Sequence, residues 1–193
     1  MRHHGPVTQS LELLLDPALD AAVRAQWALL IEAGLPSQGR HPGESNAPHI
    51  TLAVAGHVPS EIEDALQPLA TRVPVDVRLG GLLCFGRRDG RQILVRSVVV
   101  TAELLALQAE GAARFDGLPG TDELLTPGRW TPHVTLGRGF RPDQVGAALE
   151  ALGYFRESAG QAVAVRRWDS DAKRTWTLTA TPPNPRDHAV TPR

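Results

Sequence analysis

Two histidines and two threonines stand in near-identical settings 84 residues apart (133 − 49 = 84): Pro48-His49-Ile50-Thr51-Leu52 and Pro132-His133-Val134-Thr135-Leu136. Imidazole is the side chain best suited to exchanging protons near neutral pH. Side chains alternate along a strand, so His49 and Thr51 share one face while Ile50 and Leu52 share the other, and the second copy repeats the division. Each copy is a polar edge carried on an apolar one. Its histidine and threonine Cα atoms are about 6.5–7 Å apart at roughly 3.3 Å per residue. Two such edges facing one cleft suit a phosphodiester. The threonine hydroxyls can donate to its non-bridging oxygens, and one imidazole each can serve the attacking and leaving oxygens, which lie roughly in line. One imidazole must then be neutral and the other protonated, which predicts a bell-shaped rate profile with pH.

A lone His-x-Thr in a strand is most often a half-buried histidine bonded to backbone. Two copies that share proline, histidine, threonine and leucine in register, each behind a long loop, fit that reading poorly. Lesser candidates surround them. Arg138 returns to the His133–Thr135 face only if the strand bends at Gly137, and would there contact phosphate. Trp130 and Phe85 could stack on a base; the competing roles are lid packing for Trp130 and core packing for Phe85. Arg87, Arg88 and Arg91 read as a solvated turn, and Trp168 and Trp176 as sheet-core residues. His57 would lie about 26 Å along the strand from His49, too far for one site. His3, His4 and His188 fall in tails, and His41 in a loop. No His-Glu-x-x-His helix or cluster of acidic ligands appears, and Cys84 is the single cysteine. Neither a metal nor a cofactor is therefore expected.

The elements that must carry these residues follow from pattern. A strand is expected over 8–15, and Asp16-Pro17 then supplies an N-cap with proline at the first helical position. That helix runs to about Ala33, with Leu19, Val23, Trp27, Leu30 and Ile31 on one face and Gly34 as its stop. A polar loop over 35–47, long for a compact domain, delivers the first motif strand, His49 to about Gly56. A helix from Pro59-Ser60 to about Arg72 follows. Strands over 75–85 and 92–100 make a hairpin through a turn containing Asp89-Gly90. Thr101 caps a helix to about Phe115. A second long loop, 116–131, delivers the second motif strand, His133 to Phe140. A helix over 142–152 and strands over 162–168 and 175–180 close a duplicated α+β pattern.

The bulk numbers narrow the class. With 42% apolar and 21% charged residues, the 193-residue chain has the balance of a soluble globular protein. No apolar run approaches the roughly 18 residues of a membrane span, and the start lacks the apolar stretch of a secretory signal, so a cytoplasmic location and no membrane partner are expected. A net charge of −1 argues against a protein that coats nucleic acid non-specifically, but not against a pocket for one phosphodiester.

A pair of His-x-Thr-Leu strands in a duplicated α+β chain resembles the 2H phosphoesterase superfamily, specifically its bacterial 2'-5' RNA ligase-like branch. The stretch from Gly81 to Gly86 leading to Ile93-Leu94-Val95 also looks like the family's middle strands. The resemblance implies an α+β, bilobal, duplicated fold, with two antiparallel sheets flanked by helices around a central cleft. The length of 193 residues fits one domain over 1–193 with interleaved lobes, flexible tails are expected at about 1–6 and 182–193, and nothing in the sequence demands more than a monomer. The resemblance implies metal-independent chemistry on 2',3'-cyclic phosphates or 2'-5' phosphodiesters, with RNA ends or small nucleotides as partners. Carried over, His49 and His133 are the acid and base, and Thr51 and Thr135 hold the phosphate; in hydrolysis His133 serves water and His49 the leaving oxygen. The first motif continues Ala53-Val54 where the second continues Gly137-Arg138, so phosphate support is lopsided. The rival reading is a non-catalytic RNA-end or nucleotide-binding module on the same fold.

Overall fold

The computed structural model describes residues 8–43, 45–154 and 156–179. The tails expected at about 1–6 and 182–193 lie outside them, as does Ala180 at the end of the last expected strand. The chain runs β1 (Gln9–Leu15), α1 (Pro17–Glu32), β2 (His49–Ala55), α2 (Ser60–Leu66), β3 (Val75–Gly86), β4 (Gln92–Val98), α3 (Ala102–Ala113), β5 (His133–Phe140), α4 (Pro142–Leu152), β6 (Ser158–Asp169) and β7 (Arg174–Thr177). This is an α+β fold in which every strand pairing is antiparallel.

Local chemistry explains the boundaries. Asp16 Oδ1 accepts from the Ala18 and Leu19 amides at 2.9 Å each, a cap worth about 1 kcal/mol, and Gly34 leaves α1 at a φ of +69°. The helix expected from Pro59 to Arg72 divides: α2 stops at Leu66 and a 3-10 turn carries Gln67–Arg72. Pro68 has no N–H to offer the preceding turn, so the α-helical ladder cannot pass through it.

The two antiparallel sheets are two halves, β2-β1-β6 and β5-β4-β3, and the long strands join them. The first part of β3, Val75–Leu79, pairs with Ser158–Ala162 of β6, while the remainder of each strand pairs within its own half. The result is one path, β2-β1-β6-β3-β4-β5, with β7 beside β6. The motif strands therefore occupy its two ends, not neighbouring positions. They nevertheless meet, with Cα atoms of β2 and β5 within 8 Å of one another. Right-handed twist accumulated over successive pairings curls the sheet ends together. Ile50, Leu52, Val134 and Leu136 are fully buried, each contributing roughly 1.5–3 kcal/mol. The apolar edge of each motif thus anchors in the core and turns the polar edge outward.

Each end strand is covered by a segment from the other half of the chain. Trp27 of α1 donates its indole N–H to the Thr135 carbonyl, and Trp130 of the second long loop donates to the Thr51 carbonyl, both at 3.0 Å. An end strand has an unpaired row of backbone groups, and these indoles satisfy one acceptor in each. Among the described residues no helix is long and apolar enough to cross a membrane.

Candidate active site

Both motif histidines are held in the same way. Nδ1 of His49 lies 2.8 Å from the Ala47 carbonyl, and Nδ1 of His133 lies 2.8 Å from the Thr131 carbonyl. A carbonyl only accepts, so each Nδ1 carries the proton and each Nε2 is the nitrogen left for chemistry. In both cases the carbonyl belongs to the residue before the motif proline.

The strands also share an irregularity. Leu11 is opposite Ala53 and Glu12 opposite Thr51; Leu94 is opposite Gly137 and Val95 opposite Thr135. The motif leucine, Leu52 or Leu136, is therefore the extra residue of a β-bulge in each strand. The bulge resets the alternation and returns the residue three after the threonine to the polar face. In β5 that residue is Arg138, whose Nη2 lies 3.5 Å from Thr135 Oγ1, so the bend needed at Gly137 is present. Gly137 has a steric reason to be glycine, because a Cβ there would stand 2.5 Å from the Pro36 carbonyl oxygen. In β2 the corresponding residue is Val54, which faces an apolar cavity of about 350 Å³ beside Phe115 and Leu125.

His49, Thr135 and Arg138 line one small cavity together with Trp27 and Gln38, so groups from both motifs converge. His133 is not among the lining residues, but the charges of Arg138 and His49 act on its ring. Burial pulls the His133 imidazole below its ordinary value, those two charges add to the effect, and the Thr131 carbonyl opposes it. Thr51 is half-buried on the face of His49, opposite Glu12. Phe85 is not a core residue: its half-buried ring lies 4.9 Å from the His133 ring, tilted by 60°. Trp130, in contrast, is only 8% exposed. Its ring packs in the core and its N–H is bound to Thr51, so the expected base-stacking role gives way to support of the motif strand.

Sequence reasoning passed over Glu12 and Arg166. Glu12 Oε1 lies 3.6 Å from His49 Nε2, while Oε2 accepts from Arg166 Nε and Nη2 at 2.9 and 2.5 Å. Ser10 Oγ donates to Glu12 Oε1 at 2.6 Å. Burial acts to raise the Glu12 carboxyl, but the His49 and Arg166 charges and the Ser10 hydroxyl hold it below the ordinary value. The available signal was a carboxylate within the apolar run Leu11-Glu12-Leu13-Leu14-Leu15 and a cation after Val163-Ala164-Val165. Trp168 belongs to this region too, lining a cavity of about 130 Å³ with Glu12, His41, Asn46 and His49 rather than filling the sheet core. His57 is exposed beyond the far end of β2, away from the site as expected.

An antiparallel frame that presents two His-x-Thr strands defines the two-histidine phosphoesterase class. Residues 16–173 match the family described as the 2'-5' RNA ligase superfamily, and the chain belongs to it, among enzymes that act on phosphodiester bonds. Similar solved structures include Escherichia coli LigT complexed with ATP, 21% identical over 91% of this chain and 99% of that one, with a TM-score of 0.49. Kluyveromyces marxianus Usb1 with uridine monophosphate is 13% identical over 90% and 98%, TM-score 0.49, and a phosphoesterase is 18% identical over 90% and 99%, TM-score 0.49. No curated protein matches the chain.

Proposed function

We propose that this protein is a metal-independent phosphodiesterase that opens 2',3'-cyclic phosphates at RNA or nucleotide ends, with 2'-5' ligation as the reversible parallel reaction in which an RNA 5'-hydroxyl takes the place of water. The observation that carries the reading is the matched pair of imidazoles, each fixed through Nδ1 and each keeping Nε2 for proton exchange, on strands whose polar faces converge.

In hydrolysis, His133 Nε2 takes a proton from water as the water oxygen bonds to phosphorus. The bond from phosphorus to one ribose oxygen breaks, and that oxygen takes the proton from His49 Nε2. A phosphomonoester and a free hydroxyl result, and the two imidazoles have exchanged protonation states. The lowered value of His133 supports its starting neutral, as a base must. The Thr51 and Thr135 hydroxyls hold the non-bridging oxygens, and the Arg138 guanidinium adds a charge-assisted bond on one side. Phe85, against the His133 ring, offers a face to a base. The chemistry fits one domain acting as a monomer, on small nucleotides as well as on RNA ends.

The test is incubation with a panel of 2',3'-cyclic nucleotides and 2'-5' dinucleotides in EDTA, with identification of the bond that breaks. Phosphomonoester formation from the cyclic substrates is expected. Binding without product between about pH 5 and 9 would instead favour the binding-module reading.

A further inference from the structure

The two halves place different groups beside equivalent histidines. Glu12 is opposite Thr51 in the β1–β2 ladder and opposite Arg166 in the β1–β6 ladder. In the second half Val95 is opposite Thr135 and Leu83 is opposite Val95. Where the first half has a glutamate and an arginine, the second therefore has a valine and a leucine. The ion pair is buried, Glu12 at 4% and Arg166 at 7% exposure. Such a pair commonly gives no more stability than apolar residues of similar volume, and Val95 occupies the equivalent position, fully buried, in the same kind of sheet. The fold does not explain the charges.

We propose that Glu12, locked by Arg166, is the positioning residue that makes His49 the acid of the pair; this deepens the reading of the same site given above and rests on it. With Nδ1–H committed to the Ala47 carbonyl, protonation of His49 adds an Nε2–H, and the Glu12 carboxylate, with Oε1 at 3.6 Å, is placed to favour that charge. Arg166 is spent on the Glu12 carboxylate and on the Ser45 carbonyl, at 3.0 Å from Nη1, so Glu12 cannot swing away. Among the described residues, the charged or titratable groups that line the two cavities with His49 are Glu12 from β1, Arg166 from β6, His41 from the first long loop and Arg138 from β5, with His133 acting through space. Glu12 is the one anion among them. Among the described residues, the charges that act on His133 are those of Arg138 and His49. A fixed carboxylate therefore stands beside His49, and a guanidinium acts on His133.

The experiment compares kcat/KM against pH for wild type, Glu12→Gln and the double variant Glu12→Val/Arg166→Leu, which copies the second half and leaves no unpaired buried charge. Both variants are expected to move the alkaline limb, set by the acid, down by about one pH unit or more, a roughly tenfold loss on that side. The acidic limb, set by His133, should stay in place. Glu12→Asp should restore part of the alkaline limb, which a merely structural carboxylate would not do. The His49 imidazole titration, followed by NMR in the same proteins, should move with the alkaline limb. An unmoved limb and an unmoved His49 titration in either folded variant would overturn the proposal. If wild type cleaves no cyclic phosphate, the functional reading fails by itself, while the NMR comparison still decides the role of Glu12.

Discussion

The half built around His49 and the half built around His133 agree in backbone and differ in charge. Each has a histidine bound through Nδ1 to the second carbonyl before it, a threonine on the same face, a bulge at the motif leucine and an indole on the threonine carbonyl. Around these shared parts, β1 and β6 bring a buried glutamate and arginine to His49, whereas β5 brings Arg138 and β3 brings Phe85 to His133. A repeated backbone supplies two equivalent imidazoles, but an acid and a base must not be equivalent. The sheet positions around the motifs, free to vary while the strands stay the same, are where that difference is introduced.

The strongest way to break the comparison is to remove each histidine. His49→Ala and His133→Ala should each lower kcat by about 100- to 10,000-fold on a 2',3'-cyclic nucleotide. The two should differ in profile, His133→Ala losing the acidic limb and His49→Ala the alkaline one. Full turnover in either would end the two-histidine reading. Next in size is Arg138→Ala, which removes a charge-assisted bond worth about 1.5–3 kcal/mol and should raise KM by roughly 10- to 100-fold. Val54→Arg, on the equivalent residue of β2, should not compensate, because Val54 lines the apolar cavity beside Phe115; a double variant with restored KM would contradict that placement.

Smaller effects sharpen what the halves share. Trp27→Phe and Trp130→Phe each keep the ring and delete the donor to a motif threonine carbonyl, so each should cost about 1–3 kcal/mol in urea unfolding, by similar amounts. The smallest effect is in stability against pH. His133 is held below the ordinary imidazole value, so on acidification through about pH 6.5 the unfolded chain takes up this proton before the folded one does. Stability should therefore fall as pH drops through that window, and His133→Asn should flatten this part of the curve, as followed by thermal unfolding midpoints.

Much of this was legible locally. The period of two assigned His49, Thr51, His133 and Thr135 to polar edges and Ile50, Leu52, Val134 and Leu136 to buried ones, because alternation is a property of a single strand. Asp16-Pro17 and Gly34 marked α1 for equally local reasons. Arg138 was legible conditionally, since Gly137 signalled a bend but not its register. Glu12 was not, because its partner Arg166 is 154 residues away and no local pattern states that β1 and β6 pair. Trp130 misled for the same kind of reason: an aromatic in a loop before a motif reads as a lid until the strand end it bonds is known.

The amino-acid order alone thus determined which side chains do chemistry, which face each occupies and which elements deliver them, all consequences of backbone geometry over a few residues. Tertiary structure decided that the two ends of a six-strand path meet, since twist summed over distant pairings closes the sheet. It also decided that His49 faces a fixed carboxylate, because Glu12, His49 and Arg166 come together only when strands from opposite ends of the chain are laid side by side.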